Sequence, residues 1–402
     1  MMQYLFLISR IFISISIFMF FSISATKKEN FSCHFEYANW VINTDNGWIS
    51  TRINNKLIVY KGYADYADIN NILESIVESE TPITTGNFCC IVVSNDAIQI
   101  KTDLYRSFPI YYDDSEITNL NQLKNNVYST ELVHIKSNEI IKQKFKIIDD
   151  LTENTLSEDI VLDKLHNLLN NKIKSFVSHN ILPLKIFLSG GLDSMLVYSY
   201  MTKFANVEIL KGEFFQFDEF YLKNHKTLKD LWAYNQISHF VEPTIFVSGT
   251  PGDEYMLRGP YTANLYCAVN GKNIANLLTQ EQYGDCYHKL YFDLEKNKKI
   301  FYEPVSKLVK NNKIFCYNFI CNTLLNDYQH HHLGNTLTYT PLRDLEIIKL
   351  LFQLPFEIAL KQIMDGYISK KLIERNNPQL LNHISKFKNC DNHMANLIGL
   401  AI

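Results

Sequence analysis

Apolar and polar positions alternate with period two through much of the first 150 residues, which predicts strands. TRINNKLIVYKGY (Thr51–Tyr63) sets Asn54-Asn55 between two β-rich runs, a hairpin signal. NFCCIVVSNDAIQIKTDLYRSFPIYYDD (Asn87–Asp114) reads as strand, turn at Asn95-Asp96, strand, turn around Pro109, strand. Lys124–Asp150 adds shorter alternating pieces, and Asp68–Ser79 interrupts the series with helical spacing. From about Ser157 the period lengthens. DIVLDKLHNLLNNKIKSFVSH (Asp159–His179) places Ile160, Leu162, Leu165, Leu168, Leu169 and Ile173 near one helical face. A short apolar strand, Ile186–Leu188, then leads into a helix from about Asp193. PTIFVSG (Pro243–Gly249) is a second buried strand. Tyr255–Ile402 is mostly helical by the spacing in RDLEIIKLLFQL and GYISKKLIERN. No internal repeat or low-complexity linker divides the chain, so the change of period places a boundary near residue 150.

The first 25 residues fit none of these patterns cleanly. Ile11–Ala25 (IFISISIFMFFSISA) is uncharged and follows Arg10. Four readings stay open: a signal peptide; a membrane anchor, short against the roughly 20 apolar residues a span needs; a buried strand; or translation from Met19. In the last case MFFSIS is the first strand of a soluble domain. Strand or alternative start is preferred, and membrane contact through residues 1–25 is the secondary reading.

At 402 residues and 47% hydrophobic, the chain can build two cores. A formal net charge of −3 without a basic stripe argues against a nucleic-acid partner. Eight cysteines with no CxxC pair support neither a disulfide framework nor a zinc site. His330-His331-His332 reads as a loop, because adjacent side chains on a regular element cannot all face one ion.

One stretch changes the picture. In PLKIFLSGGLDSMLVYSYM (Pro183–Met201) the strand ending at Leu188 runs into Ser189-Gly190-Gly191-Leu192-Asp193-Ser194 and then a helix. A glycine turn between strand and helix aims backbone N–H groups at an anion. Gly190 and Gly191 admit a phosphate without a Cβ in the way. Ser189 and Ser194 can donate hydroxyls. Asp193 would repel phosphate unless a Mg²⁺ ion sits between them. The chain lacks the GxxxxGK[ST] loop.

These residues resemble the loop of the PP-loop ATP pyrophosphatases, which holds the pyrophosphate of ATP while the α-phosphate is attacked. SGTPGDEYMLRGPY (Ser248–Tyr261) resembles the S-G-x-G-x-D-E element of asparagine synthetases and β-lactam synthetases. That resemblance implies a second Mg²⁺-binding carboxylate at Asp253, with Gly252 in the pyrophosphate-binding set. Two such carboxylates at the ends of parallel strands would face one crevice. TPLRDLEIIKLLFQLP (Thr340–Pro355) resembles the family's P-x-x-D stretch, with Asp344 at the acidic position. KKLIERNNPQLLNHISKFKN (Lys370–Asn389) resembles its K-x-x-x-R followed by R-x-K. Lys371 and Arg375 match the first part; Lys386 and Lys388 match the second, with Lys replacing Arg at 386. The resemblance gives Lys388 the role of stabilising charge on the α-phosphate. A solvated basic helix end is the alternative for these residues.

The N-terminal half resembles the strand meander of glutamine amidotransferase domains through Gly86, Phe88, Asp103, Pro109, Tyr111 and Tyr112, with Ser107 near the usual glycine. That class uses an N-terminal cysteine. Met2 follows Met1 and Phe20 follows Met19, so neither start gives one. Cys33 has no processing motif before it, and Cys89 and Cys90 read as strand core. No glutaminase activity is expected. The stretch between Asp193 and Asp253 is short for the family, which leaves adenine and acceptor pockets unassigned; VEILKGEFFQFDEF (Val207–Phe220) supplies one candidate strand.

Taken together, the resemblance implies an apolar extension over 1–18 and a degenerate amidotransferase-like α+β domain, a β-sandwich, over 19–150. It implies an α/β PP-loop domain with a parallel sheet and helical C-terminal part over 151–402. The implied activity is amide-bond synthesis through an acyl-adenylate, with ATP and Mg²⁺, in the cytoplasm. Aspartate is the default acid, and ammonia or an amine the nitrogen donor. A separate glutaminase or a second copy of the chain are the partners left open. A specialised amide ligase, a lactam-forming cyclase and a non-catalytic nucleotide-binding relative are the alternatives; a tRNA-modifying enzyme lacks its thiol pair here.

Overall fold

The computed structural model describes residues 21–29, 31–37, 39–44, 47–65, 69–79, 86–103, 108, 110–118, 125–126, 131–136, 139–144, 155–188, 191–210, 243–250, 252–259, 262–263, 266–267, 270–272 and 336–384. The strong alternation of the first half forms strands β1 (Phe21–Ser24), β2 (Cys33–Tyr37), β3 (Trp40–Thr44), β4 (Ile49–Ile53) and β5 (Lys56–Ala64). Helix α1 (Ile69–Glu78) follows, then β6 (Gly86–Val93), β7 (Ala97–Thr102), β8 (Tyr111–Tyr112), β9 (Glu116–Thr118), β10 (Asn125–Asn126), β11 (Glu131–Lys136) and β12 (Glu139–Lys144). They make two six-stranded antiparallel sheets, β10-β8-β9-β1-β3-β2 and β12-β11-β7-β6-β5-β4. Phe21, Ile23 and Ile42 from the first meet Val59, Ile91 and Ile100 from the second in one apolar core.

The expected hairpin is β4–β5. Asn54 and Asn55 both take φ > 0, at 49° and 64°. Two left-handed residues in a two-residue loop give the turn whose twist matches the strands, and asparagine tolerates it. In β6 the unbroken run GNFCCIVV is buried on both faces. Cys89 and Ile91 face the first sheet; Cys90 and Val92 face α1. Lys101 on β7 is buried and donates to the carbonyls of Ile76, Val77 and Ser79, capping the end of α1.

Of the readings for residues 1–25, the strand applies to Phe21–Ser24. Every residue of β1 is buried, and it pairs with both β3 and β9. Residues 1–20 lie outside the described set, as do Pro109, His330–His332 and the expected boundary near 150. Among the described residues no helix is long and apolar enough to cross a membrane.

The second part begins with α2 (Glu158–His179) and β13 (Leu184–Phe187), followed by α3 (Leu192–Met201), β14 (Glu208–Leu210) and β15 (Thr244–Val247). Then come α4 (Gly252–Tyr255), β16 (Thr336–Tyr339), α5 (Leu345–Phe352), α6 (Phe356–Asp365), α7 (Tyr367–Asn376) and a 3₁₀ turn at Pro378–His383. The four strands are parallel, in the order β14-β13-β15-β16. The chain leaves β13 to one side and returns on the other, which opens a crevice beyond the carboxyl ends of β13 and β15. Strand β14 lies on the Val207–Phe220 segment. The inner face of α2 is Val161, Leu162, Leu165, Leu169, Ile173 and Phe176. Ile160, expected there, is 45% exposed. The real helical stripe is set by Val161, one position on, and continues through Lys172, which periodicity could not foresee as buried.

The antiparallel part and the mixed part share a polar and aromatic seam. The Phe176 and Tyr339 rings stack at 3.5 Å, and Tyr63 meets both edge-on. The Tyr63 hydroxyl and the Asn87 Nδ2 each donate to the Thr338 carbonyl at 2.9 Å. Lys172, with no exposed side-chain surface, pairs with Asp65 at the end of β5 (3.0 Å) and with Asp344 before α5 (3.1 Å). Burial alone lowers the pKa of Lys172. Asp344 and Asp65 outweigh it and hold the ammonium above its ordinary value.

Candidate functional site

The crevice is built by two strand-to-helix turns. In the first, Gly191 is extended (φ −74°, ψ 151°) and starts α3. Its carbonyl accepts from the Met195 N–H at 3.1 Å and from the Ser194 hydroxyl at 2.9 Å. Eight of the ten α3 residues are buried, with Asp193 and Tyr198 the exceptions, so the helix is wedged into the core and its start is fixed. Leu188 packs half-buried against the same core. Ser189 and Gly190 lie outside the described residues.

In the second turn, the Ser248 hydroxyl accepts from the Thr250 N–H (3.1 Å) and the Gly249 carbonyl from the Gly252 N–H (2.7 Å). This turn lies directly on the first. A Cβ at Gly249 would stand 2.6 Å from both the Asp193 carbonyl carbon and the Ser194 nitrogen. One at Gly252 would stand 2.7 Å from Asp193 Cβ and 2.6 Å from Leu342 Cδ1. Both glycines are thus required by close approach rather than by dihedral angle. The structure brings Gly191, Asp193 and Ser194 against the turn that carries Gly252 and Asp253.

Helix α4 ends abruptly. Leu257 takes φ 61°, an uncommon conformation for a leucine. Its N–H donates to Glu254, and the Arg258 N–H reaches back to the Asp253 carbonyl at 2.6 Å. This is the double hydrogen bond of a left-handed helix cap, a place usually held by glycine. The Leu257 side chain is buried, and that burial offsets the backbone cost. The cap delivers Arg258, whose Nη1 donates to Asp193 Oδ1 at 2.9 Å; both side chains are 19% exposed. Sequence reasoning missed Arg258. The available signal was that it is the one positive charge in SGTPGDEYMLRGPY.

Glu254 faces inward. Its buried carboxylate accepts from the Thr262 N–H (3.0 Å) and hydroxyl (3.1 Å), and Gly259 leaves room for it. It secures the following turn. Asp344 also has a structural setting: besides Lys172, it accepts from the Glu346 N–H at 3.0 Å and caps α5.

Lys371 and Arg375 are not brought to Asp193. Arg375 donates to Asp163 on α2 at 2.6 Å, and Lys371 lies 4.0 Å from Glu158 and over the Tyr367 ring. Tyr367 and Glu158 raise the pKa of Lys371. The residue that precedes α7 approaches Leu192 and Arg258 instead. Gly366 (φ 67°) has no room for a Cβ against Leu192, and the Arg258 Cδ stands 3.5 Å from that Cβ position. Lys386 and Lys388 lie outside the described residues.

Among the described residues no three His, Cys, Asp or Glu side chains are grouped to hold a metal alone. Asp193 and Asp253 lie on adjoining turns. Carboxylates so placed would need further oxygens, such as those of phosphates, to hold a hard cation.

In the antiparallel part, the residues of the amidotransferase-like pattern have structural roles. Gly86 abuts the Tyr63 backbone, and Asp103 is buried and accepts from the Phe88 N–H. Burial pushes the Cys90 thiol up to about 12, against a smaller opposing effect of Lys101, so it stays protonated and inert. Cys89 is fully buried, and Cys33 is half-buried on β2.

No protein-family model matches the chain, and no curated protein matches it. Among solved structures, an allosteric regulatory enzyme of purine biosynthesis is similar at 10% identity and a TM-score of 0.24, over 58% of this chain and 70% of that one. A glutamine phosphoribosylpyrophosphate amidotransferase from B. subtilis, complexed with ADP and GMP, is similar at 9% identity and a TM-score of 0.23, over 63% and 72%. Likeness at that level does not establish a shared fold.

Proposed function

We propose that the chain is an ATP-dependent amide-bond-forming synthetase of the asparagine-synthetase-like kind. One observation carries this reading: Gly249 and Gly252 press the Asp253 turn onto Asp193 at the carboxyl ends of adjacent parallel strands. A sheet needs no such arrangement for stability. In this reading the two carboxylates, each at a helix start, serve a triphosphate bound at the carboxyl ends of those strands.

In this reading a substrate carboxylate oxygen attacks the α-phosphorus of ATP. The α–β phosphoanhydride bond breaks and pyrophosphate leaves. Ammonia or an amine then attacks the acyl carbon, loses a proton, and AMP departs with its phosphate oxygen. The Gly191 backbone and Ser194, with Ser189 and Gly190, cradle pyrophosphate. Asp193 and Asp253 would hold Mg²⁺, which would neutralise phosphate charge. Lys388 steadies the α-phosphate; Lys371 and Arg375, turned to the α2 carboxylates Glu158 and Asp163, take no part in these steps. Aspartate is the default acid; a specialised acid, or an internal amine closing a ring, fits the same steps. Nitrogen comes from ammonia or an amine, or from a separate glutaminase.

ATP–pyrophosphate exchange tests this with Mg²⁺ and a panel of acids beginning with aspartate. Acid-dependent exchange that disappears in Asp193→Ala is expected. ATP binding with no exchange for any acid would replace the synthetase reading with a nucleotide-binding, non-catalytic one. The Arg258–Asp193 pair favours that second reading, because a guanidinium already occupies the carboxylate.

A further inference from the structure

We infer that Arg258 is a placeholder cation for Asp193, a positioning residue that couples metal binding at this site to the arrival of the triphosphate. The inference rests on the Mg–ATP reading above and deepens it. Three observations converge on this one side chain. Its guanidinium donates to the Asp193 carboxylate at 2.9 Å. Its own backbone N–H is tied to the carbonyl of Asp253, the second carboxylate residue, at 2.6 Å. And its presentation depends on an unusual backbone feature, Leu257 held left-handed without being glycine. A surface arginine seeking any counter-ion needs none of this.

The physical consequence is competition. A carboxylate beside a guanidinium has little attraction left for a free divalent cation. Triphosphate brings three or more negative charges into the crevice. They attract the guanidinium away from Asp193 at the moment the cation arrives with its own phosphate oxygens. The guanidinium then faces phosphate, for which its planar fork is well suited. The site therefore takes metal with nucleotide, and poorly without it.

The test measures Mn²⁺ binding to the full chain by electron paramagnetic resonance, with and without the non-cleavable analogue α,β-methylene ATP. Arg258→Gln is expected to tighten Mn²⁺ binding in the absence of nucleotide by about tenfold or more, by the fraction of time that Asp193 is engaged. Asp193→Asn in the same background removes the gain, and Arg258→Lys falls between wild type and Arg258→Gln. A gain of affinity cannot come from misfolding, so structural damage does not imitate it. Unchanged or weaker nucleotide-free Mn²⁺ binding in Arg258→Gln, with analogue binding intact, overturns the inference and leaves the synthetase reading standing. Wild-type chain that binds no Mn²⁺ with the analogue, and is indifferent to Asp193→Asn, removes both.

Discussion

Lys172 and Gly249 show how single residues hold this molecule together. Lys172 is a charged group with no water contact, between two carboxylates that are themselves only 4% and 3% exposed. Removing the cation leaves both anions buried and uncompensated. Lys172→Met is therefore expected to lower stability by about 3–5 kcal/mol in urea denaturation. The pH dependence has a defined sign. The folded-state pKa is raised, so the contribution of Lys172 is fully present below its ordinary value of 10.5 and is lost as pH climbs through the raised one. Between neutral pH and about pH 10 this group adds no slope; a steep loss of wild-type stability in that window that disappears in Lys172→Met would contradict the triad. Gly249 is constrained differently. Its hypothetical Cβ meets backbone atoms, which cannot swing aside. Gly249→Ala is expected to cost about 1–3 kcal/mol and to abolish nucleotide binding. Gly252→Ala is expected to cost a similar amount, because the Leu342 side chain can yield but Asp193 Cβ, fixed to α3, cannot. Thermal melts with nucleotide titration compare the two.

At the scale of elements, the ends matter more than the middles. Helix α1 has no basic residue of its own in its last turn. Lys101, on a neighbouring strand, supplies the missing positive charge to three carbonyls there. Lys101→Ala is expected to cost about 1–3 kcal/mol, since buried carbonyls lose their donor. Hydrogen exchange should quicken first in the last turn of α1; protection lost evenly across the second sheet would show instead that Lys101 acts through packing. Helix α4 makes the complementary point. It is four residues long, and its left-handed cap places one side chain rather than extending a core.

For the whole molecule, the seam between the antiparallel and mixed parts is the deciding feature. Tyr63, Phe176 and Tyr339 form an aromatic cluster across it, and the Asp65–Lys172–Asp344 triad crosses it again. Tyr63→Ala removes a ring and the hydrogen bond to Thr338, at an expected cost of about 3–5 kcal/mol. In a Trp232→Phe background, loss of helical circular dichroism, weighted toward the mixed part, should coincide on heating with the change in emission of Trp40 and Trp48 in the antiparallel part. In Tyr63→Ala the two transitions should separate. Separate transitions already in the wild type would mean that the seam does not couple the two parts.

Much of this was legible in the sequence. Period two gave the strands, Asn54-Asn55 the hairpin, the 3.6-residue spacing α2, and the strand–glycine–helix pattern the start of α3. These are local properties, fixed by backbone sterics and by which face a side chain takes. The Asp193 and Asp253 motifs were also visible as separate stretches. The resemblance implied that they meet at one crevice, but not how closely the two turns pack through Gly249 and Gly252, because that depends on how a parallel sheet sets β13 beside β15. No local pattern marks Lys172, since burial of a charge depends on carboxylates that the fold brings from the end of β5 and from the start of α5. The same holds for Arg258, whose partner Asp193 lies in a separate segment. The sequence by itself determined the elements and the chemistry each could carry. The tertiary structure alone decided which charges face one another, because that depends on distances that no local pattern encodes.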